Sequence, residues 1–286
     1  MKRIWPALLL AAVVFAEPPK KKPAAGPPLG ELEQQVLDRV NHYRKIAGVP
    51  AAACDAKLSA GCLAHAKYLL ANFDHHMSKG LSMHSEVEGR EGFSKEGAEA
   101  GKASNIHYVE PVESVDGLMA TLFHRIPLLN PELAKVGIGL AQGKSNPPWV
   151  VCVDVMRGLP PLDAGPVRAT LYPAENQKDV PLEFGGERPT PIPDDKDGKA
   201  GFPVTATFRE DNTVADVTAT LKDGAGKEVP VWLSTPEKPA NPDGQRNSVA
   251  LIPQDPLLPG ATYTVTIAAK ANGKAWTKSW KFTTRK

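Results

Sequence analysis

The sequence has almost no excess charge of either sign, and this absence bears on the kind of partner it takes. Its 286 residues include 34 Lys and Arg against 32 Asp and Glu, a net charge of +2. Two of the basic residues, Lys2 and Arg3, lie at the extreme N-terminus, so the remaining chain is balanced. Proteins that bind nucleic acids carry a basic stripe or a basic excess. We therefore expect no nucleic acid among the partners.

Several common catalytic motifs and a second long apolar segment are also missing. The sequence has no Gly-x-Ser-x-Gly elbow, no His-Glu-x-x-His helix and no Gly-rich phosphate loop. After the first sixteen residues no apolar run approaches the ~20 residues that span a membrane. The mature chain is therefore expected to have no transmembrane segment, and any hydrolase chemistry has to come from a different kind of site.

Residues 1–16 have the pattern of a secretory signal peptide. Lys2 and Arg3 form a basic start, an apolar run follows, and Ala16 provides a small residue for cleavage. The alternative is an uncleaved anchor, for which the run is short. Residues 17–29 are rich in Pro and Lys without apolar periodicity, which predicts a linker. We expect an exported protein, either secreted to the extracellular space or periplasmic.

Histidine and cysteine are confined to the first part of the chain. All seven histidines lie between His42 and His124, and the three cysteines are Cys54, Cys62 and Cys152. Side chains that titrate near neutral pH, and soft ligands for a metal, are therefore expected in this part of the chain. Export permits a disulfide, for which Cys62 on a predicted helix and Cys152 in a predicted strand are the candidates. The alternative is that the cysteines are small buried apolar residues.

The apolar pattern divides the chain into two domains of different class. Residues 30–160 contain three helical patterns and two buried strand runs, at 136–141 and 149–156. Helices around a small sheet predict an α/β or α+β layered domain. Residues 165–286 contain around seven short β-branched stretches separated by turn-forming residues. This second pattern predicts an all-β sandwich of the immunoglobulin type.

Three stretches of the first domain resemble the CAP superfamily, which includes cysteine-rich secretory proteins, wasp antigens and plant pathogenesis-related proteins. They are VLDRVNHYRKIAGVP from Val36, CDAKLSAGCLAHAKYLL from Cys54 and HRIPLLNPELAKVGIGL from His124. The three matches occur in order over residues 31–157. The resemblance implies an α-β-α sandwich of the bacterial (SCP-like) type, which agrees with the layered pattern.

The resemblance also implies a cavity lined by two histidines and two acidic residues. His84, in the stretch MHSE, matches the first histidine, and His124 matches the second. Between them, Glu96 and Glu99 both compete for the place of the first acid. The place of the second acid stays open, because the tryptophan that normally precedes it is absent.

Two imidazoles with nearby carboxylates suit a divalent metal such as zinc. His84 and His124 are then the expected metal ligands, and Glu96 or Glu99 lines the cavity beside them. Without a metal, a carboxylate next to an imidazole forms a proton-transfer pair. The alternative is that the two histidines only form hydrogen bonds across a groove.

The second domain, which ends PLLPGATYTVTIAAKANGKAWTKSWKFTT, resembles the bacterial immunoglobulin-like domains of surface proteins. The combination implies a secreted or cell-envelope protein that binds a small ligand, a glycan or a peptide in its His/acid groove. One alternative is a metal-assisted or acid–base hydrolase that uses the same groove. Another is a surface adhesion or interaction protein whose cavity has decayed. The missing tryptophan favours binding over catalysis.

Overall fold

The structure, a computed structural model, describes residues 30–75, 80–161, 167–193 and 199–286. The predicted signal peptide and linker lie outside these residues. Among the described helices, none is long and apolar enough to cross a membrane.

The first domain combines helices with a four-stranded sheet, as the apolar pattern predicts. The described residues form a 3₁₀ helix at Gly80–His84 and the α-helices α1 (Glu31–Ile46), α2 (Ala56–Ala71), α3 (Lys95–Lys102), α4 (Pro111–Met119) and α5 (Arg125–Leu128). The strands are β1 (Ala53–Cys54), β2 (Ser104–His107), β3 (Lys135–Gln142) and β4 (Trp149–Asp154). Their order is β1-β3-β4-β2, in which only β1 and β3 are parallel.

The buried residues of β4 alternate between two apolar clusters, and this alternation defines the layers of the first domain. Val151 and Val153 belong to the apolar cluster that contains the buried residues of α1 and α4. Val150 and Cys152 belong to the cluster that contains those of α2. Successive strand residues point to opposite faces of a sheet, so α1 and α4 cover one face and α2 the other. The α-β-α sandwich is therefore confirmed.

Two glycines of β3 allow α2 to approach the sheet closely. A Cβ atom at Gly139 would lie 2.1 Å from the carbonyl carbon of Cys62, and one at Gly137 would lie 2.5 Å from that of Leu58. Gly137 and Gly139 are thus required for packing of the helix on the sheet. Cys62 and Cys152 are fully buried free thiols on the two sides of this contact. Burial, followed by the neighbouring Cys62 thiol, raises the pKa of Cys152.

Within the part that the structure describes, the second domain consists of β-strands and one short helix. Its strands are β5 (Ala169–Tyr172), β6 (Val204–Phe208), β7 (Val214–Lys222), β8 (Val231–Ser234), β9 (Ser248–Pro253), β10 (Thr262–Ala271) and β11 (Lys274–Thr283). They form two antiparallel sheets, of order β5-β6-β9-β8 and β11-β10-β7. This arrangement confirms the predicted sandwich. At a predicted turn the chain instead forms a helical turn, α6 (Pro242–Gln245), because the Asn241 side chain accepts a hydrogen bond from the Gly244 N–H.

A buried arginine joins the two domains. Arg125 is fully buried, and its Nε and Nη1 donate to the carbonyls of Met119 at 2.8 Å and Pro203 at 2.6 Å. Its guanidinium lies 4.3 Å from the ring centre of Phe202 and 5.0 Å from that of Tyr172. Burial lowers the pKa of Arg125 to about 10, and the group stays charged at neutral pH. The start of α5 is thereby fixed against the second domain.

Candidate functional site

A cavity of about 270 Å³ lies where the start of α5 meets two loops of the second domain. The polar residues that the first domain contributes are His84, Lys102, Ser104, Asn105 and His124. Those that the second domain contributes are Arg188, Asn241, Asp243 and Arg246. The structure therefore places His84 and His124 in one cavity, as the resemblance implies, and builds its wall from both domains.

His84 ends the 3₁₀ helix and is fixed by a backbone carbonyl. Its Nδ1 lies 2.9 Å from the carbonyl oxygen of Gly101, the penultimate residue of helix α3. A carbonyl can only accept, so Nδ1 carries the proton and donates it. Burial lowers the pKa of His84; the bond to Gly101 opposes this effect, and the nearby His124 adds to it. At neutral pH the ring is therefore neutral, with a bare Nε2.

His124 directly precedes α5 and is fixed by a carboxylate of the second domain. Its Nδ1 lies 2.8 Å from Oε2 of Glu187. The backbone N–H groups of Leu122 and Phe123 also donate to Glu187, at 2.7 and 3.0 Å. The Glu187 side chain is 1% exposed and that of His124 is 20% exposed. The Glu187 carboxylate thus holds the ring through Nδ1, and the ring lines the cavity.

The other two residues that the resemblance assigns to the cavity lie elsewhere. Glu96 and Glu99 are on the exposed face of α3, and Glu99 pairs with Lys102 at 2.9 Å. The buried residues of α3 are Gly97, Ala100 and Gly101. At helical spacing the two glutamates therefore point to solvent. The acid beside His124 comes from the second domain instead.

The acids of α4 also lie outside this cavity. Glu113 and Asp116 are the carboxylates nearest in sequence to the open fourth place. Both line a different cleft between the domains, of about 820 Å³. There Asp116 accepts hydrogen bonds from Nε of Arg39 at 2.5 Å and from the Tyr43 hydroxyl at 2.9 Å. Neither residue supplies the second acid of the histidine cavity.

A buried histidine–carboxylate pair supports the segment that carries His84. His65 Nδ1 lies 2.9 Å from Glu86 Oε1, and both side chains are fully buried. The other ring nitrogen, Nε2, bonds to the carbonyl of Met83 at 2.8 Å. The other oxygen of Glu86 accepts from the N–H of Ser94 at 2.9 Å. The acid of the MHSE stretch is therefore structural.

The cavity offers few donors to a metal ion. In the part of the chain that the structure describes, no group of three or more His, Cys, Asp and Glu side chains is arranged to hold a metal ion. Glu187 is occupied by its three hydrogen-bond donors. Asp243 also lines the cavity but does not form such a group with the two histidines. The described residues thus offer a metal the two Nε2 atoms of His84 and His124, without a third ligand arranged beside them.

Family models match both domains. Residues 37–153 match the cysteine-rich secretory protein family, CAP, and residues 164–284 match a bacterial Ig-like domain. No curated protein matches the chain.

Solved structures share only distant similarity with parts of the chain. An extracellular protein containing an SCP domain from Bacillus anthracis str. Ames is 18% identical, with a TM-score of 0.34 over 46% of this chain and 45% of that one. CopC from Methylosinus trichosporium OB3b is 16% identical, with a TM-score of 0.28 over 42% of this chain and 94% of that one. A DUF4426 family protein from Pseudomonas aeruginosa PAO1 is 22% identical, with a TM-score of 0.21 over 29% of this chain and 64% of that one.

Proposed function

Since residues 37–153 form a domain of the CAP family and residues 164–284 a bacterial Ig-like domain, we propose that this extracellular-type protein binds a small ligand in the cavity between them. The cavity of about 270 Å³ is slightly smaller than the ~300–1,000 Å³ of typical small-molecule pockets. Its ligand is therefore a compact molecule, or a terminal unit of a glycan or peptide. Secretion or periplasmic export is part of the same proposal.

One observation carries the proposal, namely that both cavity histidines are held by Nδ1. His84 donates to a carbonyl, and His124 to the Glu187 carboxylate. No described residue makes a hydrogen bond to the Nε2 atom of either ring. Histidines that bind metals or ligands commonly have their second nitrogen fixed by a carbonyl or carboxylate in this way. The two rings are therefore prepared to present a lone pair to a ligand.

The same arrangement fits a weak divalent-metal site. Neutral imidazole nitrogens suit zinc, and two of them leave coordination positions open. A bound zinc ion would supply a positive charge able to hold a ligand oxygen. His84 and His124 would hold the ion, and Glu187 would keep the His124 ring oriented.

Acid–base hydrolysis is a second candidate, favoured by the His124–Glu187 contact. A carboxylate that accepts a hydrogen bond from one ring nitrogen orients the imidazole, so that the other nitrogen faces a substrate as a general base requires. This candidate requires a substrate in the cavity to be cleaved rather than only retained. It shares the cavity and the same pair of residues with the binding function.

Glu187→Gln is expected to weaken zinc binding by about tenfold, because loss of such an outer partner typically costs 10–100-fold in metal affinity. Glu183→Gln is the matched control, since Glu183 lines the other cleft. Calorimetric titration of zinc into the metal-free proteins measures both. Equal affinity in the Glu187→Gln and wild-type proteins would show that the second domain does not position the histidine.

A further inference from the structure

The cavity contains more positive than negative side chains. Among the described residues that line it, the charged ones are Lys102, Arg188, Arg246 and one carboxylate, Asp243. Lys102 pairs with Glu99 at the solvent-exposed surface of α3, and Arg246 pairs with Glu210. The planar guanidinium groups of the two arginines match an oxyanion better than an ammonium group does, and both arginines belong to the second domain.

Arg188 is placed by the residue before it. Glu187 is buried against the backbone of Leu122 and Phe123 and the ring of His124. The next residue, Arg188, is exposed and lines the cavity. Among the described residues no carboxylate forms an ion pair with it. Of these two consecutive residues, Glu187 thus fixes the His124 ring, and Arg188 places its guanidinium in the same cavity.

Arg246 is held in the cavity by an unusual backbone. Its φ of 48° and ψ of −143° lie in a region that side-chain-bearing residues rarely adopt. The preceding turn is fixed on both sides. Gln245 is fully buried and bonds to Ser234 and Ser248, and a Cβ atom at Gly244 would lie only 2.7 Å from the Phe123 ring.

In this position the guanidinium of Arg246 still has N–H donors available for a ligand. Nη1 contacts a carboxylate oxygen of Glu210, and Nη2 contacts the sulfur of Met156. A guanidinium has five N–H donors, so these contacts leave others for a ligand. Its side chain is 20% exposed, so it can be reached from the cavity.

We infer that the cavity binds an oxyanion, a carboxylate or a phosphate group, which Arg188 and Arg246 hold beside the two histidines. A planar guanidinium matches the two oxygens of such a group and forms charge-assisted hydrogen bonds with them. The inference deepens the proposed binding function by naming the chemical class of its ligand. It assigns recognition of that ligand to the Ig-like domain rather than to the CAP domain.

Titration of inorganic phosphate and, separately, of succinate into the metal-free protein tests this inference and identifies the preferred anion. We expect saturable binding of at least one anion to the wild type. Arg188→Gln and Arg246→Gln should each weaken it by about tenfold, the effect of losing one charge-assisted hydrogen bond. Arg168→Gln makes the same change in charge at an exposed position outside the cavity and should leave the affinity unchanged.

Arg246→Gly is a second variant that separates binding from folding. Glycine accepts positive φ without strain, so this protein should melt above the Arg246→Gln protein and yet bind the anion equally weakly. No binding to the wild type, or unchanged binding in the Arg188→Gln/Arg246→Gln double variant, would overturn the inference. Zinc binding is measured separately on the same proteins, so a wild-type protein that binds zinc but neither anion rejects this inference and leaves the proposed function standing.

Discussion

Zinc added to the metal-free protein is expected to raise its thermal stability. A ligand that binds only the folded state stabilises it by about 2.7 kcal/mol at a hundredfold excess over the dissociation constant. His84→Ala and His124→Ala should each abolish the increase, because the described residues of the cavity offer the metal no third ligand beside these two. His42→Ala should retain it, since His42 lies in the other cleft. Thermal melts with and without zinc on the four proteins measure the effect.

The rise in thermal stability caused by zinc should become smaller as the pH falls below about 6.5, the ordinary pKa of histidine. A protonated imidazole cannot bind a metal. Burial lowers the pKa of His84, so its ligand form persists at lower pH than that of an ordinary histidine. A zinc effect that survives replacement of both His84 and His124 would place the metal elsewhere.

Arg125→Ala is expected to destabilise the protein by about 3 kcal/mol, in the range of large-to-small substitutions in a core. The change leaves a cavity at the domain boundary and removes the hydrogen bonds to the carbonyls of Met119 and Pro203. It also removes the contacts of the guanidinium with Phe202 and Tyr172. Urea unfolding followed by circular dichroism and tryptophan fluorescence measures the loss.

Two further variants control for charge and position. Arg125→Lys should recover little stability, because an ammonium group cannot make both hydrogen bonds and also stack on the rings. Arg168→Ala removes an exposed arginine and should change the stability by less than about 0.5 kcal/mol. A loss below about 1 kcal/mol for Arg125→Ala would mean that Arg125 does not hold the domains together.

The fold could be predicted because its pattern is local and periodic. Asp55 caps α2 by accepting hydrogen bonds from the N–H groups of Lys57 and Leu58, and the helix begins at the next residue. The two-residue turn at Asn272 and Gly273 has positive φ at both positions, as the Asn-Gly pair predicts. Each of these features is determined by neighbours in the sequence.

Some motif residues proved to be structural rather than functional. Arg125, next to His124 in the motif, is the buried link to the second domain. The segment that follows is held by Arg44, which is fully buried and donates to the carbonyls of Leu128, Asn130 and Leu133. A motif matched by sequence therefore combines a site residue with the residues that fix its loop.

The acid of the site could not be predicted in the same way. Glu187 lies 63 positions after His124, in an irregular segment without an apolar period. Its role depends on how the second domain packs on α5, which no local pattern encodes. Glu96 and Glu99 have the expected place in the sequence, but the helical period of α3 turns them to solvent. The sequence pointed to His84 and His124, which line one cavity, but it carried no information that places Glu187 beside His124.

Nitrogen NMR of the His84 and His124 rings in the metal-free protein, at about pH 8, where an ordinary histidine is neutral, tests the central claim most directly. The hydrogen bonds to Gly101 and Glu187 predict a protonated Nδ1 and a bare Nε2 in both rings. In Glu187→Gln only the His124 signals should change. A proton on Nε2 of either ring in the wild type would contradict the account, because that ring would present no lone pair to the cavity.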